Sequence, residues 1–161
     1  MKLRLEPIVT MITIFVITLA TALESERAEA SDFKPYMAIG GQVNVSDASM
    51  ASAGIIYKNK IDVRVTYIGE GDTEWGKHES MRVFSVNRIV TPGWFGDTFF
   101  MGVGYANVQE TRLVGEHNFN LMVGGQWKWG RIYYNHISDF DVGTNDNTGL
   151  DGLHASFDLS F

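Results

Sequence analysis

The sequence contains no cysteine and only three prolines among its 161 residues. The absence of cysteine excludes a disulfide-stapled scaffold and any metal site built on thiolates. Charged residues make up 20% of the chain, and their formal net charge of -6 argues against a surface that binds nucleic acid phosphates. A hydrophobic fraction of 45% is nevertheless enough for one folded domain rather than a disordered chain.

Only one long apolar run is present, at 8–20, and it follows the basic residues Lys2 and Arg4. The run is shorter than the roughly 20 residues that a membrane-spanning helix needs. Two small-x-small sites follow it and end at Ala22 and Ala30. This order is typical of a secretory signal peptide, with an uncleaved anchor helix as the alternative. We therefore expect 1–30 to be a signal peptide, cleaved after Ala22 or Ala30, and 31–161 to be the mature domain.

The mature region has no convincing amphipathic helix, and its apolar residues recur with a period of two. This pattern predicts eight strands, at 34–44, 51–59, 61–69, 81–90, 97–106, 117–129, 131–139 and 151–161. Short connections at 59–60, 91–96 and Gly130 alternate with longer polar ones at 70–80, 107–116 and 140–150. Together these features predict an all-β fold, an eight-stranded antiparallel transmembrane β-barrel of the bacterial outer membrane. A soluble β-sandwich, with its apolar face turned inward, is the alternative.

One further feature favours the membrane barrel. Phe161 ends the chain with apolar residues at every second position before it, which resembles the C-terminal β-signal read by the outer-membrane assembly machinery. That machinery is then an expected partner. Trp94, Trp127 and Trp129 lie near the short connections and would form part of a periplasmic aromatic girdle, with ordinary packing as the alternative.

Charged residues on the predicted strands are expected to point into the barrel. There Arg64, Arg82, Arg88 and Lys128 would pair with Asp62, Asp158 and similar groups and fill the lumen rather than conduct ions. No pair among His78, His117 and His154 has convincing metal-ligand spacing, so no metal is expected.

A set of catalytic residue types occurs at the last predicted hairpin. His136 and Ser138 are two apart on a strand, so both side chains emerge from one face, about 6–7 Å apart. A register that places Asp151 opposite His136 or opposite Ser138 brings all three onto that face. These are the residue types of a nucleophile, a base and a group that orients the base. With both termini periplasmic, the set would lie near the headgroup–acyl boundary of the outer leaflet, where lipid esters are found.

The residues His136-Ile137-Ser138-Asp139 and Asn147-Thr148-Gly149-Leu150-Asp151 resemble motifs of the PagL lipid A 3-O-deacylases and related barrel acyl hydrolases. The resemblance implies that Ser138 is the nucleophile, that His136 is the general base and acid, and that Asp151 orients His136. Asp139 stands where the family has an asparagine that helps to hold the oxyanion, and its carboxylate would repel an oxyanion unless protonated or turned away. Backbone N–H groups from Ser138 to Phe140 would then serve instead.

The resemblance implies a carboxylic ester hydrolase without a cofactor, acting on an acyl ester of lipid A, the 3-O-linked one, in outer-leaflet lipopolysaccharide. Two alternatives belong to other classes: a non-enzymatic barrel of the OmpX or opacity type, acting through its loops, and an inactive relative of the deacylases. A monomer and a homodimer are both compatible with the sequence.

Overall fold

Eight antiparallel strands close into a barrel in the computed structural model of the protein, which describes residues 32–43, 48–73, 76–108, 114–140 and 149–159. The barrel strands are β1 (Phe33–Gln42), β2 (Ser49–Tyr57), β3 (Ile61–Ile68), β6 (Met81–Val90), β7 (Phe99–Val108), β8 (His117–Trp127), β9 (Gly130–Asp139) and β10 (Leu150–Asp158). A small hairpin of β4 (Gly71–Thr73) and β5 (Gly76–His78) lies between β3 and β6. Around the barrel the order is β1-β10-β9-β8-β7-β6-β3-β2, and β1 closes it by pairing with β2. The predicted strand number and barrel topology are confirmed.

The connections differ in length at the two ends of the barrel. At the short-turn end they are 58–60, 91–98 and 128–129, whereas at the long-loop end they are 43–48, 69–80, 109–116 and 140–149. The expected alternation is therefore present, with one correction. Gly130 is not a turn residue but the first residue of β9, where a Cβ would lie 1.9 Å from the carbonyl oxygen of Ser156. Lys128 and Trp129 make that turn.

The two faces of the barrel wall have opposite character. The interior holds a layer of buried polar side chains: Ser52, Asp62, Arg64, Thr66, Ser85, Asn87, Asn118, Asn120, Arg131, Asn135, His154 and Ser156. An apolar cluster around Met50, Ile68 and Leu150 lies toward the long-loop end, and a second, around Ile56 and Phe100, lies toward the short-turn end. Large apolar side chains such as Val103 and Leu153 cover the outside instead. The outer face thus carries large apolar side chains where a soluble sandwich would be polar, and the interior is polar in its middle and apolar toward both ends.

Arg64 organises the polar layer. Its guanidinium donates to Ser85 Oγ at 3.1 Å, to Tyr133 Oη at 2.7 Å and to Asn135 Oδ1. Tyr133 and Asn135 belong to β9, which is separated from β3 by three strands in either direction around the barrel. Arg64 therefore crosses the full width of the lumen and ties β3 to β9.

The expected inward direction of the charged residues is correct for some of them and wrong for others. Asp62 and Arg64 are buried in the lumen, but each is satisfied by neutral partners; Tyr36 donates to Asp62 at 2.6 Å. Arg82 and Arg88 are exposed on the outer face. The odd-numbered residues of β6, such as Ser85, are buried, so the alternation of that strand places both arginines outside. Lys128 lies exposed in the short turn.

The tryptophans lie where the sequence places them. Trp94, Trp127 and Trp129 are all exposed near the short-turn end. Trp127 stacks on Trp129 with ring centroids 5.8 Å apart, and Trp129 stacks on Phe157 at 6.1 Å. An aromatic patch therefore covers the outer wall at that end.

No helix formed by the described residues is long and apolar enough to span a membrane. The expected signal peptide at 1–30 and the terminal residue Phe161 lie outside the described residues.

The Arg64 contacts lead to a prediction about stability. Arg64→Met should lower the free energy of unfolding by about 3 kcal/mol or more, because three buried hydrogen-bond partners lose their donor and Asp62 loses a nearby positive charge. The measurement is urea unfolding of the refolded barrel in detergent micelles. Arg82→Met is the matched control, since Arg82 is exposed on the outer face, and it should change the same quantity by no more than about 0.5 kcal/mol. Equal effects of the two substitutions would contradict the role given to Arg64.

Candidate active site

His136 and Asp151 face each other on the outer surface of the barrel. They are directly opposed in the antiparallel pairing of β9 with β10, which is the first of the two registers that the sequence allows. His136 Nδ1 lies 2.7 Å from Asp151 Oδ1, close enough for a charge-assisted hydrogen bond. The pair lies near the long-loop end, because Asp151 is the second residue of β10.

The alternation of β9 explains why the site faces outward. Tyr133, Asn135 and Ile137 are buried in the lumen, so the residues between them must point to the outside. Arg64 holds Tyr133 and Asn135 from within. The outer side chains of β9 therefore occupy positions that are fixed by contacts on the opposite face of the strand.

Ser138 lies on the same outer face as His136, two residues further along β9 toward the long-loop end. It is half-buried and pairs across the sheet with Phe119 of β8. The structure thus brings the three residues that the sequence singles out, His136, Ser138 and Asp151, onto one face of neighbouring strands.

A tyrosine that the sequence analysis does not single out also contacts the site. The hydroxyl of Tyr134 donates to Asp151 Oδ1, the same oxygen that lies beside His136 Nδ1. Tyr134 has the parity of His136 and pairs with Leu153, so it is the diagonal neighbour of Asp151. Diagonal neighbours on one face lie within reach of long aromatic side chains, and this rule is the signal that could have found it.

A row of aromatic rings extends sideways from His136 across the outer wall. The Phe119 ring lies 6.0 Å from the His136 ring, and Phe140 lies 6.1 Å from Phe119. Phe140 also stacks on Tyr105 at 6.5 Å, and the Tyr105 hydroxyl is 2.5 Å from His117 Nδ1. The side chain of Phe140 is therefore part of this aromatic row.

Asp139 lies on the other face of β9 from Ser138. It shares the parity of Ile137 and pairs with the buried residue Asn118. Its carboxylate lies against Gly115, where a Cβ in place of the glycine hydrogen would come within 2.3 Å of Asp139 Oδ2. The Asp139 carboxylate is thus turned away from the outer face.

The backbone of Gly149 packs against the ring of His136. It has a φ of 68°, in the left-handed region that favours glycine, and it immediately precedes β10. A Cβ at this position would lie 2.9 Å from His136 Cε1 and 3.0 Å from the carbonyl oxygen of Ile137. The imidazole therefore packs against the bare backbone of Gly149, and a side chain there would displace it.

The His136–Asp151 pair is partly shielded from solvent, with side chains 30% and 20% exposed. Partial burial strengthens the interaction relative to a surface pair while leaving the imidazole accessible from outside. An imidazole held at Nδ1 by a carboxylate presents Nε2 as a general base, the arrangement used by serine hydrolases. Across the five described ranges, no group of three or more His, Asp or Glu side chains is placed to hold a metal ion.

No family model, no curated protein and no solved structure matches the chain.

The support from Gly149 can be tested without any assumption about activity. Gly149→Ala should move the NMR signals of the His136 ring, because the added methyl group collides with Cε1. Gly96→Ala is the matched control: its φ of 69° imposes the same backbone strain, but nothing lies within 4 Å of its Cβ. The control should leave the His136 signals unchanged. If both variants move them equally, the contact with Gly149 does not position the imidazole.

Proposed function

We propose that this protein is an outer-membrane serine esterase that hydrolyses an acyl ester of lipid A. The observation that carries the proposal is the 2.7 Å contact between His136 and Asp151 on the outer wall, with Ser138 on the same face. The pair lies beside exposed apolar side chains such as Leu153, and charged groups in contact with lipid are unfavourable, so its presence there calls for a function.

Location in the outer membrane is supported by the strands themselves. The barrel strands contain eight to eleven residues, close to the 9–11 or so that a tilted membrane-spanning strand needs. Exposed apolar residues cover the outer wall, the tryptophans lie at the short-turn end, and every strand edge is paired by closure of the barrel. The short turns would then face the periplasm and the long loops the exterior.

The position of the site indicates the class of substrate. His136 and Asp151 lie on the lipid-facing wall at the long-loop end, which is the level of the outer leaflet in this orientation. An ester that reaches them must come from a lipid lying alongside the barrel rather than from a molecule inside the lumen. Lipid A of lipopolysaccharide carries such acyl esters in the outer leaflet, and the motif around His136 and Ser138 resembles that of the lipid A 3-O-deacylases. The 3-O-linked acyl chain is therefore the one proposed to be transferred to the protein and released as a fatty acid.

The first half of the reaction transfers the acyl chain to the protein. Ser138 Oγ attacks the ester carbonyl carbon while His136 Nε2 takes the hydroxyl proton. Asp151 accepts a hydrogen bond from His136 Nδ1 and stabilises the imidazolium that forms. When the tetrahedral intermediate collapses, the C–O bond of the ester breaks and His136 returns the proton to the leaving sugar oxygen.

The second half regenerates the protein. A water molecule gives a proton to His136 Nε2 and attacks the acyl carbon, the bond to Ser138 Oγ breaks, and Oγ recovers the proton. The products are a free fatty acid and a lipid A with one hydroxyl in place of an ester. Backbone N–H groups between Ser138 and Phe140 would stabilise the oxyanion, since Asp139 is turned to the opposite face of the strand.

The nucleophile is tested by Ser138→Ala, which should abolish fatty acid release from lipid A because the acyl-enzyme cannot form. Mass spectrometry of lipid A incubated with the purified barrel measures the product. His136→Ala should cause a comparable loss, and the double variant should be scarcely worse than either single one, since the two residues act as a unit. Ser49→Ala is the matched control, an exposed serine at the same end of the barrel, and should retain full activity.

Two outcomes contradict the proposal. Wild-type rates from Ser138→Ala would show that the serine mechanism is wrong. A wild-type barrel that hydrolyses neither lipid A nor simple acyl esters would instead favour the non-enzymatic barrel or the inactive relative.

The orientation of Asp139 leads to a separate prediction. Asp139→Asn restores the residue found in the family at that position and removes a negative charge, but this carboxylate points away from Ser138. We expect the hydrolysis rate to stay within about twofold of wild type, because no repulsion of the oxyanion is being relieved at close range. The same lipid A assay measures it. A collapse of activity would mean that Asp139 takes part in the reaction.

A further inference from the structure

We propose that Tyr134 is a positioning residue of the esterase, which holds the carboxylate of Asp151 in the orientation that His136 requires. This inference rests on the proposed function. It adds a fourth side chain to the three that the sequence singles out, and it assigns a task to the hydroxyl of a tyrosine that otherwise belongs to the apolar outer wall.

The geometry places two donors on one oxygen. Asp151 Oδ1 lies 2.7 Å from His136 Nδ1 and also accepts the hydroxyl proton of Tyr134. His136 and Tyr134 are successive outward residues of β9, whereas Asp151 stands on β10. One carboxylate oxygen of Asp151 therefore contacts two successive outward side chains of β9.

Packing alone does not account for this arrangement. Tyr134 stands opposite Val123 on one side and Leu153 on the other, which suits an apolar wall. A phenylalanine would satisfy both neighbours equally well. The hydroxyl is the part that packing leaves unexplained, and it is directed at the carboxylate of the site.

The consequence for the reaction concerns the imidazole tautomer. A neutral histidine must carry its proton on Nδ1 if Nε2 is to accept the proton of Ser138. Asp151 selects that tautomer only while a carboxylate oxygen faces His136 Nδ1. The bond from Tyr134 restricts rotation of this carboxylate about its side-chain torsions.

Few other polar side chains near His136 could orient its imidazole. Ser138 and Tyr134 neighbour it on β9, and Asp151 faces it from β10. From β8, Leu121 stands opposite His136 and Phe119 packs against its ring, and neither side chain can ionise or donate a hydrogen bond.

The test replaces Tyr134 with phenylalanine and measures hydrolysis of lipid A per folded barrel, counted by heat-modifiable migration. We expect kcat to fall roughly tenfold, the effect of losing one charge-assisted hydrogen bond, with KM nearly unchanged because the ring stays in place. Tyr105→Phe is the matched control. It removes a tyrosine hydroxyl from the same outer face, but one that contacts His117 rather than Asp151, so both constants should remain at wild-type values.

A spectroscopic measurement separates positioning from packing. In barrels labelled with ¹⁵N-histidine, the His136 signals, identified by their loss in His136→Ala, report which ring nitrogen carries the proton. Tyr134→Phe should raise the fraction protonated at Nε2, whereas Tyr105→Phe should leave His136 unchanged and move His117 instead.

The outcomes distinguish this inference from the function on which it rests. If wild type is active and Tyr134→Phe keeps both its kcat and its His136 spectrum, the positioning role is wrong and the esterase stands. A rise in KM alone would also overturn it, because Tyr134 would then bind lipid. A wild-type barrel without esterase activity overturns both.

Discussion

Arg64 crosses the barrel from β3 to β9, and the polar layer of the lumen is arranged around this one side chain. A buried guanidinium is tolerated because hydroxyl and amide groups satisfy it, and Asp62 is satisfied separately by Tyr36 and Asn87. Its two contacts on β9 anchor that strand at alternate residues. The strand that carries the candidate nucleophile and base on its outer face is thereby held from its inner face.

The outer site depends on a second constraint, which is the close approach of backbone to imidazole at Gly149. The carboxylate of Asp151 approaches His136 from one side, and the glycine backbone limits the ring from another. Phe119 packs against the same ring from β8. Three neighbouring parts of the wall thus restrict one side chain, as preorganisation of a general base requires.

Much of this arrangement could be predicted from the sequence because a strand alternates its faces locally. The period of two located the eight strands and put His136, Ser138 and Asp151 on one face. The same period does not show that Arg82 and Arg88 point outward, because β6 carries apolar residues on both faces and its pattern gives no clear inward side.

The side-chain contacts of the site are harder to predict from the sequence, because they depend on the strand register. The register of β9 with β10 was limited to two choices, and pairing of the strands along their full length selects one of them. Tyr134 and Gly149 depend on that choice, since each meets the site only when His136 stands opposite Asp151. The small hairpin of β4 and β5 was also missed, because its strands of three residues are too short for alternation to appear.

The two-faced character of β9 has a consequence for how this gene can change over generations. Its odd-numbered residues serve the lumen and its even-numbered residues serve the outer site, so the loss or gain of a single codon within the strand would exchange the two sets. Tyr133 and Asn135 would then face the outside of the barrel, and His136 would face Arg64. Lineages that keep this barrel are therefore expected to diversify along β9 by substitution, while insertions and deletions accumulate in the long loops.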